Sequence, residues 1–126
     1  SGTSQSAAVI SGVVALVVQA DPTLTPDDVK CRLLSSAKPV VDASGTALYS
    51  LFQQGAGLVF APDAVFNQAL ACANVGLDIA ADLSGEAHFV GTATRLDDGT
   101  YALRHPETLE LSSGNGATWD GHYTFA

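Results

Sequence analysis

Residues Ala7 to Val18 read Ala-Ala-Val-Ile-Ser-Gly-Val-Val-Ala-Leu-Val-Val, apolar apart from Ser11, and Ser1-Gly2-Thr3-Ser4 runs straight into them. A run that is apolar on every side has no periodicity to separate helix from strand. Its length and the stop at Asp21-Pro22 decide for a helix over about Ser4 to Gln19. Such a helix is expected to be buried on every face, with close helix packing accounting for Gly12 in its middle. The apolar stretch is shorter than the ~20 residues of a membrane span, so a core helix is expected. Ser4 then stands at an end where backbone amides lack intrahelical acceptors and the helix dipole is positive. A hydroxyl there reads either as an N-cap or as a nucleophile beside amides suited to an oxyanion.

The string Gly2-Thr3-Ser4-Gln5-Ser6-Ala7-Ala8-Val9-Ile10-Ser11-Gly12 resembles the nucleophile signature of the subtilisin-like serine peptidases, G-T-S-x-[SA]-x-P-x-[VI]-x-G. It departs at Ala8, where that family usually has Pro, and Gln5 stands where Met is common. Gly55-Ala56-Gly57-Leu58-Val59-Phe60-Ala61-Pro62-Asp63-Ala64-Val65 resembles the family's closing element, in which glycines let the backbone pass close to the core before a last helix, here about Pro62 to Leu70. The alternative reading of this Gly-x-Gly as a phosphate loop lacks a third Gly and a preceding βαβ unit. The resemblance covers about residues 1–70. It implies the α/β class, as the C-terminal helical part of a subtilisin-like three-layer fold, and makes Ser4 the nucleophile of peptide-bond hydrolysis by acyl transfer. In the family's order of Asp, His, Ser, the triad Asp and His, like the oxyanion Asn, lie before Ser4. The chain is therefore expected to be the C-terminal portion of a catalytic domain, inactive alone, with the N-terminal portion as its partner and a protein or peptide as substrate. The rival reading is a non-catalytic folded fragment or accessory module with Ser4 as a helix N-cap.

Between these motifs, Thr25-Pro26-Asp27-Asp28 is a helix start: a cap, Pro at the first helical position and acids at the positive end of the dipole. That helix is expected to reach Ser36 with Val29, Leu33 and Leu34 as its buried stripe and Arg32 and Lys38 near its negative end. Asp27 and Asp28 are adjacent on a helix and do not converge on a metal. Asp42–Thr46 reads as a turn and Ala47–Phe52 as a short strand or extended segment.

After Cys72 the chain turns Gly-, Thr- and Asp-rich. Residues 87–96 and 100–104 around Asp97-Asp98-Gly99 read as a β-hairpin, Ser112–Gly116 as a linker or turn, and Trp119–Phe125 as one more strand. This divides the chain into a catalytic part, 1–72, and a β-rich extension, 73–126. All three histidines, His88, His105 and His122, fall in the extension, and chain order assigns none of them to the triad; Asp120-Gly121-His122 is a weaker alternative dyad. Their spacing is not that of a local zinc site, and Asp78, Asp82 and Glu86 lack the pattern of a calcium loop. Subtilisin-like enzymes often bind calcium, but no ligand for it is identifiable here, and no cofactor is expected.

The 126 residues are 47% apolar and 14% charged, enough for one small domain and not for disorder. A net charge of −8 leaves no electrostatic footprint for nucleic acid or anionic lipid. Cys31 and Cys72 are an isolated pair. If the chain is exported, as the resemblance implies, a disulfide between them is expected, against the alternative of two buried reduced thiols.

Overall fold

The computed structural model describes residues 2–111; the expected linker and final strand, with Asp120-Gly121-His122, lie outside them. In order come α1 (Thr3–Ala20), α2 (Pro26–Ser36), α3 (Leu51–Gln54), α4 (Ala61–Phe66), α5 (Ile79–Ser84), β1 (Ala93–Arg95) and β2 (Tyr101–Leu103). The described residues are thus helix-rich with one small antiparallel sheet, Ala93 facing Leu103 and Arg95 facing Tyr101.

The first two helices form where the sequence predicts. Gly2 precedes α1 with φ 113°, a conformation that suits glycine, and Asp21 closes it. Thr25 caps α2 in a reciprocal capping box: its Oγ1 accepts from the Asp28 amide at 3.2 Å, and Asp28 Oδ2 accepts from the Thr25 amide at 3.2 Å. Burial departs from expectation. Within α1 only Val13 and Val17 are buried, and they meet Val29 of α2 and Ala64 of α4 in the main core cluster. Val9 and Leu16 stay 58% and 49% exposed, so the helix is apolar all round but covered along one stripe. Nor does close packing explain Gly12, where an added Cβ would meet nothing within 4 Å. With 18 residues and a mean hydropathy of 1.4, α1 also has the length and composition of a marginal membrane span; its packing through Val13 and Val17 is that of a core helix.

In α2 the buried residues are Val29, Cys31 and Arg32, with Leu33 and Leu34 half-buried. Arg32 does not sit at the helix end as a dipole partner. It is 3% exposed, donating through Nε to the Ala69 carbonyl at 3.3 Å and through Nη2 to Asp21 Oδ2 at 3.4 Å. A buried guanidinium persists only when its donors are met, so Arg32 ties the end of α1 to the segment beyond α4.

The turn at Asp42 forms as expected, with Oδ1 accepting from the Ser44 and Thr46 amides at 2.8 and 3.0 Å. The segment expected as a strand makes one bridge, Ala47 with Val41, and bends at Leu48 and Tyr49 before Ser50 and Gln53 build a capping box that starts α3. Gly57 then crosses the Lys38 backbone, pairing Leu58 N–H with the Lys38 carbonyl at 2.8 Å and the Lys38 N–H with the Leu58 carbonyl at 2.9 Å. A Cβ at Gly57 would lie 2.6 Å from Pro39 N, and φ there is +115°, so this close pass requires glycine.

The helix expected over 62–70 ends at Phe66. Asn67 stops it by turning its side chain to α2, donating to Ser35 Oγ at 2.7 Å while its Oδ1 accepts from the Ala69 amide at 2.8 Å. Beyond Cys72 the chain is not uniformly β-rich. Asp78 caps α5 through the Ala81 amide at 3.0 Å, and Gly85 ends it in the left-handed region at φ 76°. The hairpin forms around Asp98, whose Oδ1 accepts from the Thr100 amide at 2.9 Å, but with strands of three residues each.

Candidate active site

Ser4 is the second residue of α1, exposed, one position after Thr3 and two after the Gly2 turn. Gly2 occupies the cap position, and no side chain makes a cap hydrogen bond, so Ser4 is not the N-cap of this helix. The Gly2 carbonyl accepts from the amides of Gln5 and Ser6 at 3.1 and 3.4 Å. Among the described residues neither the Ser4 hydroxyl nor the Thr3 and Ser4 amides have a hydrogen-bond partner. The local physics follows from the sequence. A glycine at positive φ turns the chain, and the peptides behind Ser4 align along an 18-residue axis. What results is a hydroxyl at the positive pole of a long helix beside amides without acceptors.

Neither described histidine hydrogen-bonds Ser4. His105 is half-buried, and its Nδ1 accepts from the Glu107 and Thr108 amides, both at 3.2 Å. That makes Nε2 the protonated nitrogen, donating to the Ser35 carbonyl at 3.2 Å. With both ring nitrogens engaged, His105 tethers the segment after β2 to α2. His88 is a surface residue whose Nδ1 contacts Asp82 Oδ1 at 2.8 Å on α5. Among the described residues no group of three His, Cys, Asp or Glu side chains converges as a metal site.

A disulfide and polar clasps hold the second helix. Cys31 and Cys72 form a disulfide with a Cα–Cα distance of 5.1 Å, joining α2 to the segment after α4. Asp27 and Asp28 both grip that same segment. Asp27 Oδ1 accepts from Asn74 Nδ2 at 2.6 Å, and Asp28 Oδ1 accepts from the Ala71 amide at 3.0 Å. Hydrogen bonds from Thr25, then from the Ala71 amide, hold the Asp28 carboxyl below the usual carboxylate range. Sequence reading missed the Asp28, Asn74 and His105 clasps because each partner lies more than thirty residues away. The hairpin is further seated by Tyr101, whose ring meets Phe52 edge-on at 5.1 Å.

Residues 1–57 match the model of the Subtilase family of peptidases. Subtilisin-like protease SBT1.3 of Arabidopsis thaliana is 41% identical over 64 residues, a stretch that covers 45% of this chain and 8% of that protease. No solved structure matches the chain. Over that segment the chain is similar to subtilisin-like peptidases, and the Ser4 motif and Gly57 both lie inside it. It spans less than a tenth of the length of that relative.

Proposed function

We propose that this chain is the nucleophile-bearing part of a subtilisin-like serine endopeptidase. The observation that carries the reading is Ser4: exposed, not a cap, without a hydrogen-bond partner among the described residues, and inside the matched segment. In this reading Ser4 Oγ attacks a peptide carbonyl, and its proton passes to a His oriented by an Asp, both supplied from outside residues 1–126. The carbonyl oxygen becomes an oxyanion that the Ser4 amide meets as one donor of the hole. Its collapse breaks the C–N bond, the His returns its proton to the leaving amine, and water, deprotonated by the same His, then releases the acyl group as a carboxylate with Ser4 restored. The histidines described here are committed elsewhere, which supports an external base. The uncovered apolar side of α1 supports an N-terminal portion of the same catalytic domain as the partner that covers it. A protein or peptide is the substrate, and the Cys31–Cys72 disulfide supports an exported, extracellular setting. Residues 1–72 form the catalytic part and 73–126 the appended extension.

The test is Ser4→Ala in the intact protein, with Ser6→Ala as control. Peptide hydrolysis is expected to fall on the order of a million-fold for Ser4→Ala, the scale known for removing the serine of a subtilisin, and to persist for Ser6→Ala. Retained hydrolysis in Ser4→Ala would remove the assignment.

A further inference from the structure

An open cleft of about 640 Å³ separates Ala71–Val75, which the disulfide fastens to α2, from Phe89–Thr92, which leads into β1. Its size falls in the range of ligand sites, roughly 300–1,000 Å³. Apolar side chains stand exposed in its lining, Leu70 at 56%, Val75 at 68% and Val90 at 73%.

The charge of the cleft runs against that of the chain. Net charge is −8, with five Lys and Arg residues in all. Arg32 and Lys38 are ion-paired with Asp21 and Asp63. Lys30 and Arg104, both in the cleft lining, form no ion pair among the described residues. Lys30 Nζ donates to Asn74 Oδ1 at 2.7 Å and Arg104 Nη1 to the Leu109 carbonyl at 3.3 Å, which leaves further donors on each without a partner among the described residues. Glu107 is the carboxylate of the lining, and His105 there has both ring nitrogens engaged.

The cleft walls also offer backbone. Phe89, Val90 and Gly91 on one side, and Cys72 and Ala73 on the other, have main-chain N–H and C=O groups without a protein partner among the described residues. An extended peptide uses all three features together. Its main chain bonds an open edge, alternate apolar side chains enter the groove, and an acidic side chain meets the guanidinium and ammonium. A fatty acid would leave the backbone edges unused, and a small anion would leave the apolar walls bare.

We propose that this cleft binds an extended peptide segment in which acidic and apolar residues alternate. The proposal stands independently of Ser4, because its readout is binding. The protein carrying this chain, with Ser4→Ala to prevent cleavage, is titrated into fluorescein-labelled Leu-Asp-Leu-Glu-Leu and followed by anisotropy. Saturable binding is expected, at least about tenfold weaker for Leu-Asn-Leu-Gln-Leu, the scale of one charge-assisted hydrogen bond. The K30Q/R104Q double variant should lose affinity to a similar degree. Glu107→Gln should tighten binding, a gain that misfolding cannot imitate. Equal binding of the two peptides, no binding of either, or an unchanged affinity in Glu107→Gln would overturn the proposal. So would displacement of the peptide by decanoate at matched concentration, which would mark the site as one for lipid chains.

Discussion

The helix α1 and the segment Gln68–Val75 are held in opposite ways. The first is the longest regular element described, 18 residues, yet it buries only Val13 and Val17. The second has no helix or strand, yet it buries Ala69 and Ala73 against Cys31. It is also fixed by the disulfide, by Arg32 on the Ala69 carbonyl, by Asp28 on the Ala71 amide and by Asn74 between Lys30 and Asp27. Backbone regularity therefore does not measure how much a segment is supported from within this chain. The irregular segment is pinned by partners in 1–111, whereas α1 presents apolar surface that finds few partners there.

The disulfide gives the largest stability effect on that contrast. Replacing Cys31 and Cys72 together by Ala should destabilise by about 3–4 kcal/mol on the chain-entropy scale for a loop of this length. Denaturant unfolding of the intact protein measures it. A loss below about 1 kcal/mol would mean that the polar clasps alone hold the segment, since a typical hydrogen bond contributes about that much.

Paired truncations then probe the helix. Val17→Ala at a fully buried position should cost roughly 2 kcal/mol from lost methyl groups and the cavity they leave. Val9→Ala, 58% exposed in these residues, should stay within about 0.5 kcal/mol if that face meets water. A cost for Val9→Ala matching that of Val17→Ala in the intact protein would show that residues outside this chain cover the face, as the proposed N-terminal portion of the domain requires.

How much of this was legible depended on range. The two capped helices were readable because their signals are local: Thr25, Pro26 and Asp28 lie within one turn of each other, and Asp21-Pro22 closes α1. The role of Gly57 was readable too, through its motif. Burial was less so, since an apolar run states what a helix can bury and not what is present to cover it. The α5 signals, Asp78 before Ile79 and Gly85 after Ser84, were local and were overlooked against a Gly- and Thr-rich background. Arg32 was misplaced because a helix-end position suggests a dipole partner, whereas its acceptors come from Asp21 and Ala69. The disulfide needed the resemblance, because pairing two cysteines depends on compartment as well as on distance.

Smaller effects concern the start of α2, which grips the irregular segment. Thr25→Ala should cost about 1 kcal/mol as a lost cap, read from denaturant midpoints. Asp28 gives a pH signature. Its folded carboxyl is held below the ordinary value of 3.8. Its contribution is therefore fully present above the unfolded pKa and is lost as pH falls through the lower folded value. Asp28→Asn should flatten the stability profile on the acid side of about pH 4 and leave the shape near neutrality unchanged. An identical acid limb in the variant would show that Asp28 does not sense the Ala71 clasp.

Labelling by a fluorophosphonate probe reads the identity and environment of the nucleophile together. In the intact protein the adduct should form on Ser4 and on no other serine of residues 1–126, as located by peptide mass spectrometry. The isolated 126-residue chain, whose described histidines are engaged elsewhere, should remain unlabelled on the same timescale. Adduct on another serine with Ser4 unmodified, or rapid labelling of the isolated chain, would contradict an account in which Ser4 is the nucleophile and its base comes from outside this segment.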